Sequence, residues 1–284
     1  MSSTVFLVVI CAAILHAVWN AAVKGSQDKV LSMTAVMTGQ VFVGAILISV
    51  LPWPSSESIP WFIAGIVFHI GYQIFLISAY RIGDFTQVYP IARGTGPMIV
   101  TVVSIVFFGV KFTPSELIAI ILIVLGIISL SLVRQGDGLR NPRAALMAFC
   151  TGCCIAGYSL ADGMGARVSE NAIGYMAFLM VVNGLIFAAY IWMVSPGKIV
   201  EMFRTSKLIM FGGGFASALA YLMVVWAFTQ APIAIVTALR ESSIVFAVLI
   251  GVFVFHERVN LVKVFSTMLT LGGAALLRLG RFLV

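Results

Sequence analysis

Apolar residues run along this chain in ten long blocks separated by short polar stretches. The blocks cover roughly 4–23, 31–51, 60–80, 85–109, 114–133, 143–163, 172–194, 207–229, 232–256 and 260–280. Each is close to the length, about 20 residues, at which an α-helix crosses some 30 Å of hydrocarbon. The pattern therefore predicts an all-α integral membrane protein with ten transmembrane helices. The breaks carry loop chemistry: "PWPSSESIP" parts the second and third blocks, with Trp53 and Trp61 placed as interfacial anchors. "RQGDGLRNPR" parts the fifth from the sixth, and "SPGKIVEMFRTSK" the seventh from the eighth. The opening stretch "MSSTVFLVVICAAILHAVWN" lacks a basic region and a small-residue cleavage site, so it is expected to stay as the first span.

The loop at 134–142 divides the blocks into two sets of five, residues 1–133 and 143–284. An offset of 147 residues lays Arg93 on Arg240, Phe108 on Phe255 and Gly126 on Gly273. Because five is odd, two equivalent halves must enter the bilayer in opposite directions. That is an inverted repeat, the plan of many secondary transporters.

Composition agrees with a membrane solvent. Of 284 residues, 61% are hydrophobic and 10% charged, too few charges to cover a soluble surface of that size. The net charge of +7 sits mostly in short loops and has no basic domain behind it, so it speaks for membrane orientation and against nucleic acid. Cys150, Cys153 and Cys154 fall on one apolar helix with no His or carboxylate nearby, which favours packing over metal binding.

Polar residues inside the blocks are the informative ones. A charge at the bilayer centre costs about 2.5–3.5 kcal/mol on insertion scales. Arg93 lies deep in the fourth block, and Arg240 with Glu241 deep in the ninth. A guanidinium does not deprotonate to escape, so both arginines must face a partner or water. Pairing with Glu241 and Asp162 as structural glue is the plain alternative to a ligand site. The third block carries His69, Tyr72 and Gln73 near one face, the fourth Tyr89 above Arg93, the first His16, Trp19 and Asn20, the sixth Tyr158 and Asp162. Pro90, Gly94, Gly96 and Pro97 are expected to loosen the fourth helix. Motifs for intramembrane proteolysis fail: there is no His-Glu-x-x-His, no Gly-x-Ser-Gly, and "RIGDF" has Arg81 where glycine is required. No ATP-binding loop occurs, so transport would have to run on a gradient or an exchange; for lack of a catalytic set an enzyme is disfavoured, and no cofactor or metal is expected. The cluster Gly212, Gly213 and Gly214 reads as close helix packing.

Four strings carry a likeness: "LHAVWNAAVK", "AYRIGDFTQVYPIARGTGP", "IAGYSLADGMGAR" and "APIAIVTALRESSIVFA". With ten helices in two inverted fives, the whole chain resembles the EamA branch of the drug/metabolite transporter superfamily. The resemblance implies a carrier of amino acids, other small metabolites, nucleotide sugars or drugs, working by proton coupling or exchange. It also implies a cavity between the halves, lined by helices one, three, four, six, eight and nine. Two features depart from the pattern. The Gly-Glu ending of the fourth and ninth helices is incomplete at Gly109-Val110 and His256-Glu257, so Glu257 is taken as a helix-end residue without a transport role. The paired buried arginines are not general in the superfamily.

The expected function is export of a small polar metabolite, anionic or zwitterionic, across the cell membrane. Arg93 and Arg240 would bind its acidic group, with Tyr72, Gln73, Tyr89, Trp19, Asn20 and Tyr158 shaping the site. Glu241 is the first candidate for a coupling proton, then Asp162 and His69. A proton-coupled exporter of cationic drugs, with Glu241 as the binding acid, is one alternative; a non-transporting scaffold subunit is another. The bilayer and a small molecule are the expected partners, and pairing of two copies stays open.

Orientation follows from loop charge. Leaving out Arg93 and Arg240, loops after odd-numbered helices hold Lys24, Lys29, Arg81, Arg134, Arg140, Arg143, Lys198, Arg204, Lys207, Arg258 and Lys263, against Lys111, Arg167, Arg278 and Arg281 on the other side. Positive-inside counting then puts both termini outside the cytoplasm, whereas the family resemblance implies both inside. The expected outcome follows the charges: alkaline phosphatase fused to the C-terminus is active, and an inactive fusion beside a fluorescent green one reverses the topology.

Overall fold

The structure, a computed structural model, describes residues 1–26, 28–83, 85–129, 141–254, 256 and 261–279. The expectations attached to Phe255, Glu257, Arg134, Arg140, Arg258 and Arg281 lie outside the described residues. Twelve α-helices follow in order: α1 (Ser3–Lys24), α2 (Lys29–Val50), α3 (Ile59–Ile82), α4 (Phe85–Val106), α5 (Pro114–Ser129), α6 (Pro142–Val168), α7 (Ala172–Val194), α8 (Lys198–Thr205), α9 (Gly214–Gln230), α10 (Ile233–Arg240), α11 (Ser243–Phe253) and α12 (Leu261–Leu279). Taking α10 and α11 as one span, nine stretches among the described residues are long and apolar enough to cross a bilayer. The tenth, α5, is apolar through Ser129, where the described residues pause.

Several helices start where a side chain can cap them. Ser2 accepts from the Val5 amide, Asp28 from Leu31, Asn141 from Arg143 and Ala144, and Asn171 from Gly174. Each satisfies amide donors that have no partner within the helix, donors that are costly to leave unpaired near hydrocarbon.

The break in a spanning helix falls in the ninth span, not the fourth. α4 runs unbroken with Pro90 and Pro97 inside it. Its glycines serve as packing notches: a Cβ on Gly94 would stand 3.0 Å from Ile128, and one on Gly96 2.8 Å from Ile155. Neighbours pressed against α4 thus hold it together where the prolines withhold a hydrogen bond. In the ninth span the backbone tightens instead. The Glu241 and Ser242 amides bond the carbonyls of Ala238 and Leu239, three residues back, before α11 begins. Ser242 and Ser243 follow the charged pair, and such residues compete with regular helical bonding.

The repeat is visible in the packing. α1 lies against α9 and α11 in the way that α6 lies against α3 and α4, while α2 pairs with α7 and α5 with α12. The last seam obeys the 147-residue offset atom for atom. A Cβ on Gly126 would meet Thr270 Oγ1 at 2.6 Å and the Ser266 carbonyl oxygen at 2.9 Å. One on Gly273 would meet the Ala119 carbonyl oxygen and Ile123 Cγ1, both at 2.7 Å. Ala119 and Ile123 are the counterparts of Ser266 and Thr270. Each half therefore presents a notch to the same positions of the other.

The three clustered glycines are not alike, as the sequence reading had them. Gly214 packs backbone to backbone against Gly39, and Gly213 faces Val36, but nothing lies within 4 Å of a Cβ on Gly212. Beside the Gly39–Gly214 contact, Gln40 donates to Ser217 Oγ at 2.8 Å, tying α2 to α9. Cys150, Cys153 and Cys154 are free thiols, and Cys154 packs close to Gly71 of α3.

The stretch read as a loop between the seventh and eighth blocks contains α8, a short amphipathic helix. Met202 is fully buried with Leu31, Ala35 and Met210, while Val200 and Phe203 stay exposed. Lys198 donates to Asp28, the cap of α2, and also approaches Glu201 at 3.3 Å. The ammonium and the Leu31 amide hold Asp28 below the usual carboxylate range, and Lys198 is held above its ordinary value by Asp28 and Glu201. A depressed carboxyl contributes stability above its unfolded value and loses it as pH falls through the folded one. This tie therefore persists at neutral pH and weakens only in strong acid.

The seam makes a paired expectation. Gly126→Ala and Gly273→Ala should each cost about 1–3 kcal/mol by overpacking, whereas Gly212→Ala and Gly272→Ala, which meet nothing within 4 Å, should not destabilise. Thermal midpoints of the four purified variants check it, and equal midpoints would show that the seam yields.

Candidate functional site

The helices enclose a cavity of about 100 Å³ between the two halves. Its polar wall comes from His16 and Trp19 of α1, Gln40 of α2, His69, Tyr72 and Gln73 of α3, Arg93 of α4, and Tyr158 of α6. Asn183 of α7, Ser217 and Tyr221 of α9, and Arg240 of α10 complete it. Met33, Met37, Met176 and Met180 supply adaptable apolar surface. α2 and α7 thus join the six helices that the family resemblance implied.

Two charged clusters stand at this cavity. In the first, Arg93 Nε lies 2.8 Å from Glu241 Oε2, and Arg93 Nη2 donates to Ser243 Oγ at 3.4 Å. Arg240 Nη2 lies 3.9 Å from Glu241 Oε1, which is an ionic contact but too long for a hydrogen bond. Glu241 is completely buried, between two cations that belong to opposite halves. Arg240 is 3% exposed, yet neither its Nε nor its Nη2 has a hydrogen-bond partner among the described residues. The tightened turn after Arg240 falls where Glu241 and Ser243 reach Arg93 of α4.

The second cluster joins three helices through Asp162 of α6. Its Oδ2 accepts from Tyr221 at 2.6 Å and meets His69 Nε2 at 2.9 Å. Its Oδ1 is buried without a hydrogen-bond partner and faces Gly65, where a Cβ would stand 2.6 Å away. His69 stacks on Tyr158, with centroids 4.3 Å apart and planes 9° from parallel. Tyr72 and Tyr221 meet the Tyr158 ring edge-on, at 5.8 and 6.2 Å. The aromatic rings thus form one connected wall from α3 through α6 to α9.

The residues singled out in the sequence fall into two groups. Trp19, Tyr72, Gln73, Tyr158, His69, Arg93 and Arg240 line the cavity. Glu241 and Asp162 stand one layer behind, each covered by its cationic or imidazole partner. Tyr89 lies off the wall, beside Arg93. Asn20 also lies off it, donating to the His16 carbonyl of its own helix at 2.7 Å. Asp162 pairs with His69, so it does not serve as an arginine partner. Gln40, Asn183, Ser217 and Tyr221 were not anticipated. Gln40 and Asn183 did leave a signal, each being the lone carboxamide in its apolar helix.

No curated protein matches the sequence. A solved crystal structure, titled only as that of a protein, superposes with a TM-score of 0.77 over 100% of this chain and 99% of its own, at 18% identity. That likeness concerns the fold. The model of the EamA-like transporter family matches residues 3–132 and again 142–279, nearly the whole chain in two repeats. The chain belongs to the EamA-like transporter family and is a multi-pass membrane transporter of the drug/metabolite transporter superfamily.

Proposed function

We propose that this transporter exports a small polar metabolite carrying a carboxylate, phosphate or phosphonate, and that Arg240 and Arg93 bind the acidic group. The observation that carries the reading is Arg240. Its guanidinium is a buried, permanent charge on the cavity wall, with two nitrogens free of hydrogen bonds among the described residues. Leaving such a group unpaired is costly, and an anion would supply the two parallel charge-assisted bonds its planar fork is built to make. A cationic substrate would find no carboxylate on the wall among the described residues, since Glu241 sits behind the arginines and Asp162 behind His69. The cell membrane is the proposed location.

The two arginines should fail differently. Arg240→Ala removes an under-satisfied charge, so it should lower transport at least tenfold while leaving the thermal midpoint equal or higher. Arg93→Ala strips Glu241 of its close partner, and breaking a buried pair costs about 3–5 kcal/mol, so stability and transport should fall together. Arg240→Lys should rescue only in part, because an ammonium cannot make the planar two-point contact. The measurement is counterflow in liposomes against amino acids, organic acids and phosphonates, with melting curves on the same preparations. Undiminished transport by Arg240→Ala would show the arginine to be structural.

A further inference from the structure

Counted with Glu241 and Asp162 ionised, the formal charges around the cavity close on zero, two positive from Arg93 and Arg240 against two negative from the carboxylates. His69 is the base on the wall that touches a carboxylate. With Asp162 ionised, its Oδ2 accepts from both Tyr221 and His69, which makes Nε2 the imidazole donor and leaves Nδ1 as the open base. The ring lines the cavity with its side chain 12% exposed, whereas Asp162 is shut off from it. A proton reaching Nδ1 would create an imidazolium already paired with a carboxylate and stacked flat on Tyr158.

We infer that His69, seated on Asp162, is the proton-binding site of this transporter and is loaded together with an anionic substrate, one proton with each anion. The inference rests on the anion reading above and adds the coupling to it. An anion entering an electroneutral, low-dielectric cavity leaves one uncompensated negative charge. Protonation of His69 restores the balance, so each ligand favours the other by linkage. Proton and anion then move in the same direction, so export runs down the anion's own outward gradient and carries the proton out with it. The step transfers a single proton from water to Nδ1 on loading and returns it on release, with no other bond changed.

Geometry prefers this pair to Glu241, the first candidate in the sequence. Glu241 has no exposure, is absent from the wall, and is held 2.8 Å from Arg93. The other titratable neighbours of the pair are Tyr221 of α9, Tyr158 of α6, Tyr72 of α3 and Tyr175 of α7, with Arg240 across the cavity and His16 on α1. The pair also belongs to one half alone. At the 147-residue offset His69, Asp162 and Tyr221 correspond to Ala216, Leu15 and Ile74, all apolar, whereas Arg93 corresponds to Arg240. The repeat thus doubles the anion contact and leaves a single carboxylate-seated histidine on the wall, which matches a one-to-one load.

The test measures binding of L-glutamate, succinate and phosphonoacetate to the purified full chain by calorimetry across a pH series. One proton taken up with each anion gives a Kd that rises about tenfold per pH unit once His69 is unloaded in the free protein. His69→Gln and Asp162→Asn should bind with a flat pH profile, and ¹⁵N spectra of the histidines should report a new imidazolium when anion is added to the wild type. Should Asp162→Asn fail to fold, His69→Gln, at a wall position, decides alone. A retained slope in His69→Gln, a slope lost only in Glu241→Gln, or loss of all binding in a folded His69→Gln each overturns the proton assignment while the anion reading stands. If none of the three probes binds the wild type, the anion reading falls and the coupling with it.

Discussion

Two guanidinium groups held inside a lipid-clad bundle keep their protons under all physiological conditions, and the interior has to be built around that fact. Arg93 and Arg240 come from equivalent helices of the two halves, and a single carboxylate, Glu241, lies within ionic range of both. One acid stands there between two bases, and the second carboxylate, Asp162, lies apart in the aromatic cluster. The ninth span tightens at the same place: α10 ends on Arg240, and the Glu241 and Ser242 amides bond three residues back before α11 resumes.

The carboxylates are treated in opposite ways. Glu241 meets permanent cations, so its charge is fixed by neighbours that do not titrate. Asp162 meets an imidazole and a phenol, neither of which carries a permanent charge. The same residue class thus serves as counterion to fixed charges in one cluster and, on the coupling proposed above, as the seat of a proton in the other. What separates the two roles is the partner, not the depth of burial, since both carboxylates are wholly enclosed.

Much of the fold was legible because its grammar is simple. An apolar block of bilayer length predicts a span regardless of neighbours, and the odd count per half forces the inversion. Arg93 and Arg240 were legible for a related reason: at that depth few explanations exist for a charge. The rest depended on packing that a single sequence does not record. Pro90 and Pro97 resemble breakers until Gly94 and Gly96 are seen receiving Ile128 and Ile155. Gly212, Gly213 and Gly214 look alike as letters, yet they face open space, a valine and another backbone. α8 escaped notice because eight amphipathic residues are too few for a hydrophobic run to register. Asn20 shares a helix with Trp19 but spends its amide on its own backbone. Tyr221 emerged as an Asp162 partner only once α6 and α9 were placed side by side.

The α5–α12 seam is self-complementary. Gly126 receives Ser266 and Thr270, and Gly273 receives their counterparts, Ala119 and Ile123. A surface that is its own complement is what two copies of one polypeptide form when they associate about a two-fold axis. The two halves thus meet here as the protomers of a symmetric dimer would, joined in one chain, and that symmetry is kept at the seam while it is given up at His69, Asp162 and Tyr221, whose counterparts are apolar.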